Sequence, residues 1–176
     1  MRKTLLLFTT MALALLLTAG MAWAAAGPPT VVSTVPPTPA VTTPPTPSPT
    51  GVDPTANVKA KFSEAMKERS INTSTFYLLP GHFTYEQLNC TASATTVCPV
   101  LPAPVLATVR YNDDTKTAVL DPNAALASNT EYTAVVEGRG DGDMKAVKDR
   151  GGTPMAIDYI FYFTTSSDGG GGGGRP

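Results

Sequence analysis

Between Asn57 and Ser63 apolar and polar residues alternate strictly. Val58, Ala60 and Phe62 fall on one side, and Asn57, Lys59, Lys61 and Ser63 on the other. A period of two marks a strand with one buried face. Ser63-Glu64-Ala65-Met66 follows, then the polar run from Ser70 to Thr75, then a second strand over Phe76–Leu79. Val105, Ala107, Val109 and Tyr111 alternate with Leu106, Thr108 and Arg110, and with Thr117–Asp121 they predict a hairpin. Asn112-Asp113-Asp114 supplies its turn, since Asn and Asp tolerate left-handed backbone and bond their own chain. Asp121–Ser128 (DPNAALAS) reads as a helical turn that plugs Leu126 under the strands. Tyr132, Ala134 and Val136 then point to the core, with Glu131, Thr133 and Glu137 outward. The last strand is Asp158–Thr165, with Tyr159, Phe161 and Phe163 inward. Gly27–Val35 reads as a first edge strand: Pro28 and Pro29 block pairing at its start, and Val31, Val32 and Val35 dock.

The flanks change the picture. Arg2 and Lys3, the apolar run Leu5–Ala19 and the small residues of Ala22-Trp23-Ala24 form a cleavable secretory leader over residues 1–24. The alternative is a membrane anchor, but Thr9, Thr10 and Thr18 break a run already short of the ~20 residues that a span needs. About 150 residues remain, enough for one domain with a core, here placed at residues 25–166. With Arg2 and Lys3 removed, 13 basic residues become 11, against 14 acidic. That balance argues against nucleic acid as a partner. Once the leader is cleaved, no membrane is expected as a partner. Residues 36–54 are a Pro/Thr-rich connection, read as a stiff surface loop of extended polyproline geometry. A docking site for a proline-binding partner and an O-glycosylated run are the alternatives. Residues 167–176 form a flexible Gly-rich tail.

The segment NVKAKFSEAMKERSINTSTFYL resembles the opening of a bacterial Ig-like domain of the S-layer-protein (SbsA) type. Ala107–Gly138 and Ala146–Thr165 resemble its remainder, so the likeness covers roughly Thr30 to Thr165. It implies an all-β fold: an Ig-like antiparallel β-sandwich of about seven strands. It also implies that Phe62, Ser63, Glu64, Met66, Tyr132 and Phe163 are motif residues with structural roles. Ser63 and Glu64 would bond backbone where the strand ends, Met66 would pack, and the Tyr132 hydroxyl would bond nearby backbone as a tyrosine corner.

Residues 80–104 depart from that pattern, as an insertion. They hold the sole histidine, His82, and both cysteines, Cys90 and Cys98, with seven residues between them. In a secreted chain such a pair reads as a disulfide that staples the insertion and not the sandwich. A metal site with His82 is the alternative, one ligand short of a closed zinc site. Gly138–Pro154 carries Arg139-Gly140-Asp141, a tripeptide that integrins read, which short turn-rich loops also contain by chance. Asp141, Asp143 and Asp149 offer oxygen ligands for calcium, without the spacing or final Glu of an EF-hand. No other cofactor is expected.

No nucleophile motif or paired acid–base set stands out, so an enzyme is not expected. The reading is a secreted, cell-surface, non-catalytic module with a structural or adhesive role at the bacterial envelope. Its partners would be envelope components or other protein domains. The alternative is a ligand-binding module. A glycan would need an exposed aromatic platform, for which Phe83 and Tyr85 are the candidates, unless they cover a small core within the insertion. Periplasmic copper carriers have a similar sandwich, but here Met66, Met144 and Met155 are scattered and no histidine lies near Ala25.

Overall fold

The computed structural model describes residues 27–37, 48–93, 97–138 and 145–167. Seven strands follow along the chain: β1 (Val31–Val35), β2 (Val58–Phe62), β3 (Phe76–Pro80), β4 (Ala107–Asn112), β5 (Thr117–Pro122), β6 (Glu131–Val136) and β7 (Tyr159–Thr164). They form two antiparallel sheets in the orders β1-β2-β5-β4 and β3-β6-β7. This strand order is that of the constant-type immunoglobulin sandwich.

The core lies where the alternation places it. Val58, Ala60 and Phe62 of β2 and Ala118 and Leu120 of β5 face Phe76 and Leu78 of β3. Tyr132, Ala134 and Val136 of β6 and Phe161 and Phe163 of β7 complete the buried cluster. Each fully buried phenylalanine contributes roughly 1.5–3 kcal/mol relative to an exposed one. The aromatic inner face of β6 and β7 therefore carries much of the hydrophobic stabilisation. The Cys90–Cys98 disulfide is formed.

Five local expectations are corrected. β1 contains a bulge: Val31 pairs with Phe62, but Ser33 pairs with Lys61 and Thr34 with Ala60. The extra residue reverses the alternation. Thr34 is buried, its hydroxyl donating to the Pro36 carbonyl, while Val32 and Val35 are exposed. Residues 121–128 form no helical turn. β5 runs on through Pro122, the Asn123 N–H goes to the Leu106 carbonyl, and the Leu126 N–H to the Pro54 carbonyl. Leu126 is nonetheless buried. In the β4–β5 turn the left-handed residue is Lys116 (φ 54°), while Asn112 Oδ1 accepts from the Thr115 amide and hydroxyl.

Fourth, the end of the Pro/Thr-rich connection belongs to the second sheet. The Pro49 carbonyl accepts from the Thr164 N–H, the Val52 N–H donates to the Thr164 carbonyl, and the Ser166 N–H donates to the Val52 carbonyl. β1 thus lies on the open edge of one sheet, while Val52 pairs in parallel with Thr165 beside the other. Fifth, Thr133 is fully buried, although it points away from the core. The residues after β3 explain this: they fold back over the outer face of the β3-β6-β7 sheet.

Candidate functional site

The Ser63–Met66 motif sits where β2 leaves its sheet. Ser63 is clamped to the strand that pairs beside it: its N–H donates to the Thr30 carbonyl (2.9 Å), and its hydroxyl accepts from the Thr30 N–H (3.1 Å). Met66 is buried, and its N–H donates to the Tyr111 hydroxyl (2.8 Å). The Tyr111 ring stands edge-on to Phe62 with centroids 6.3 Å apart. Burial raises the Tyr111 phenol above its ordinary value, the Met66 N–H opposing this in part. Glu64 is the exception to the expected pattern. It is partly buried and makes no hydrogen bond or ion pair with any described residue. The strand exit is held by Ser63 and Tyr111 instead.

Asp149 lies against the same corner, in an antiparallel bridge with Met66. Its Oδ1 accepts from the Thr153 N–H (2.6 Å), and its own N–H donates to the Thr153 carbonyl (2.8 Å). The carboxylate therefore closes a turn. Asp141 and Asp143 lie outside the described residues, as do the Arg139-Gly140-Asp141 tripeptide, Met144, the leader and residues 168–176. Among the described residues no three of His, Cys, Asp and Glu gather as metal ligands. Met66 and Met155 are both buried in the core.

Tyr132 stacks on Phe163 at 5.7 Å, and its hydroxyl accepts from the Ala127 N–H (2.9 Å). The bond reaches five residues back along the chain, the geometry of a tyrosine corner. β6 ends at a second tie, Gly138. Its N–H donates to Asp158 Oδ1 (2.7 Å), while Asn89 Nδ2 donates to Asp158 Oδ2 (2.9 Å).

Through that Asn89 contact the insertion is fastened to the sandwich. Thr133 Oγ1 donates to the Gly81 carbonyl (2.7 Å) and accepts from the Phe83 N–H (3.0 Å). The Tyr162 hydroxyl donates to the Phe83 carbonyl (3.0 Å). Thr84 and Gln87 form a reciprocal cap that starts the short helix α1 (Tyr85–Leu88). His82 lies flat on Tyr162, with centroids 4.2 Å apart, and its Nδ1 is 3.0 Å from Glu131 Oε1. It is thus turned to the sheet and not to the cysteines. Leu79 and Val135, which point away from the main core, are buried on this covered face. The Phe83 backbone is thus bonded to the sheet while its side chain is half-buried, and Tyr85 is exposed on α1. No described buried side-chain nitrogen or oxygen lacks a hydrogen-bond partner.

A profile of the bacterial Ig-like domain matches residues 25–165. The chain belongs to that family. Among solved structures, this Ig-like domain is similar to the S-layer protein SbsC (residues 31–844), at 15% identity and a TM-score of 0.44. That likeness covers 79% of this chain and 14% of the S-layer one, so the chain spans a small part of that protein's length. It is also similar to PcoC, a copper resistance protein from Escherichia coli, at 18% identity and a TM-score of 0.48, over 78% of this chain and 99% of that one. No well-characterised protein sequence matches the chain. Among the described residues no helix is long and apolar enough to cross a membrane.

Sequence reasoning missed several residues that this Ig-like domain depends on. Tyr111 appeared only as a core-facing strand residue, and nothing local signals that its hydroxyl reaches an amide 45 residues away. Thr133 reads as solvent-facing because alternation describes one sheet face and is silent on what covers the other. Nothing in the sequence sets Gly138 apart from the other glycines that follow it. A Cβ built there lies 2.1 Å from the Ile157 carbonyl carbon and oxygen, so the backbone of the neighbouring segment excludes any side chain.

Proposed function

We propose that the chain is a secreted, non-catalytic module of the bacterial cell surface, with a structural or adhesive role exerted through its surface contacts. Bacterial Ig-like domains are in general non-catalytic, which agrees with this reading. The observation that carries it is how the chemically capable side chains are used. Ser63, Tyr111, Tyr132, Thr133, Asp149 and Asp158 all bond the protein's own backbone. A site evolved for turnover would aim such groups at a cavity, with a base beside a nucleophile. Here they brace a sandwich whose outer surfaces and edges remain to meet partners.

The test is co-sedimentation of residues 25–176 with cell envelopes of the source organism, with and without EDTA. Retention is the expected result. A chain left wholly in the supernatant overturns envelope attachment. Release by EDTA would assign attachment to a divalent cation, for which the loop of Asp141, Asp143 and Asp149 is the candidate.

A further inference from the structure

Beside the strand exit lies a surface cleft of about 410 Å3, distinct from the bracing contacts just described. Lys67 and Arg69 enter it from the 3-10 turn after Met66, and Lys145 and Lys148 from the segment before Asp149. No carboxylate is among its described lining residues. The mature chain as a whole carries more acid than base, so this clustering of cations runs against its overall balance.

The cleft is built from segments far apart in sequence. The Lys67 N–H donates to the Lys148 carbonyl (2.8 Å), the Lys148 N–H donates to Ser70 Oγ (3.0 Å), and Ser70 Oγ donates to the Lys67 carbonyl (2.7 Å). These bonds fix the two backbones side by side and bring their cations to one place. The side chains of Lys67, Arg69 and Lys148 make no hydrogen bond or ion pair with any described residue. The nearby carboxylate of Asp149 is occupied by the Thr153 N–H. Among the described residues no carboxylate thus meets the charges of Lys67, Arg69 and Lys148.

We infer that this cleft binds an anionic, phosphate-bearing polymer of the cell surface; the inference rests on the envelope-module reading and supplies its partner. The charge pattern calls for an anion. Arg69 presents a planar fork suited to phosphate oxygens, and lysines act beside it as point charges. Exposed cations gain little from one screened ion. A flexible chain with regularly spaced charges gains more, because each further unit binds at high effective concentration. A long duplex nucleic acid would also meet the net negative remainder of the protein, which opposes it.

The experiment is a titration of residues 25–176 with purified poly(glycerol phosphate) at low and moderate salt. Binding is expected, weakening steeply as salt rises. Lys67→Gln with Lys148→Gln should weaken it at least tenfold. Lys59→Gln with Lys61→Gln, an equal charge change on the outer face of the other sheet, should leave it within twofold. Equal loss in both pairs overturns the cleft as the site, as does no binding by the parent chain. Equal affinity for polyglutamate overturns phosphate as the preferred group. Stronger binding to phosphatidylglycerol vesicles or duplex DNA overturns a surface polymer as the partner. Envelope co-sedimentation separates the two claims: retention that survives the Lys67/Lys148 change keeps the module reading and ends this one.

Discussion

The Tyr132 hydroxyl accepts the Ala127 N–H at 2.9 Å while its ring lies on Phe163. One side chain thus joins the bend after β5 to the inner face of the second sheet. Tyr132→Phe keeps the ring and removes the acceptor. We expect a loss of about 1 kcal/mol, the usual net worth of one such bond. Tyr132→Ala also leaves a cavity and should cost about 3–5 kcal/mol. Urea denaturation with an unchanged slope checks both. Equal losses in the two variants would show that the bond, and not the ring, supplies the stability.

Gly138 has no room for a side chain, since a Cβ would overlap the Ile157 carbonyl group at 2.1 Å. The clash is with backbone, which cannot swing aside as a flexible side chain would. Gly138→Ala is expected to destabilise by about 1–3 kcal/mol or more, as over-packing does. A variant with the parent's thermal midpoint would refute the close approach of residues 138 and 157.

The Cys90–Cys98 link should act locally. Closing so short a loop contributes about 2–3 kcal/mol in the chain-entropy model. The segment it staples is fastened to the outer sheet face through Thr133, Asn89 and Tyr162. Reduction, or Cys90→Ala with Cys98→Ala, should speed hydrogen exchange at Phe83 and at Gln87–Asn89 while β6 stays protected. Thr133→Val should do the same to Phe83 with the disulfide intact, because its amide loses its acceptor. Global unfolding on reduction would contradict this division.

Alkali should destabilise the fold through Tyr77. Burial, then the hydrogen bond and charge of Glu137, hold this phenol far above its ordinary value of 10.0. Its hydroxyl donates to Glu137 Oε1 at 2.7 Å. A raised folded-state pKa means that the folded protein keeps a proton the unfolded chain gives up. This contribution is complete below about pH 10, the unfolded phenol value. It is lost as pH climbs from there toward the raised value. Burial shifts Tyr111 and Tyr162 in the same direction. Stability measured from pH 8 to 11 should fall in the upper part of that range, and less steeply in Tyr77→Phe.

Local pattern was enough for the strands and their inward faces, and the resemblance to bacterial Ig-like domains for their assembly into a sandwich. Period two named the inward residues Val58, Ala60 and Phe62 of β2 and Phe161 and Phe163 of β7, because it leaves each side chain only two faces to choose between. The spacing of two cysteines in a chain read as secreted was enough to indicate the disulfide. Tertiary structure decided what lies beyond the reach of local pattern. A single inserted residue at Val32 exchanged the places of Thr34 and Val35, since a bulge reverses all that follows it. The second face of the β3-β6-β7 sheet was covered by a segment whose docking depends on Thr133 and Asp158, both distant in sequence. The cation cleft has the same origin. Lys67 and Lys148 are unremarkable in their own neighbourhoods, and only the hydrogen bonds between their backbones place their charges together. Alternation reports the partition between core and solvent, whereas long-range contacts depend on how the sheets and connections close in space.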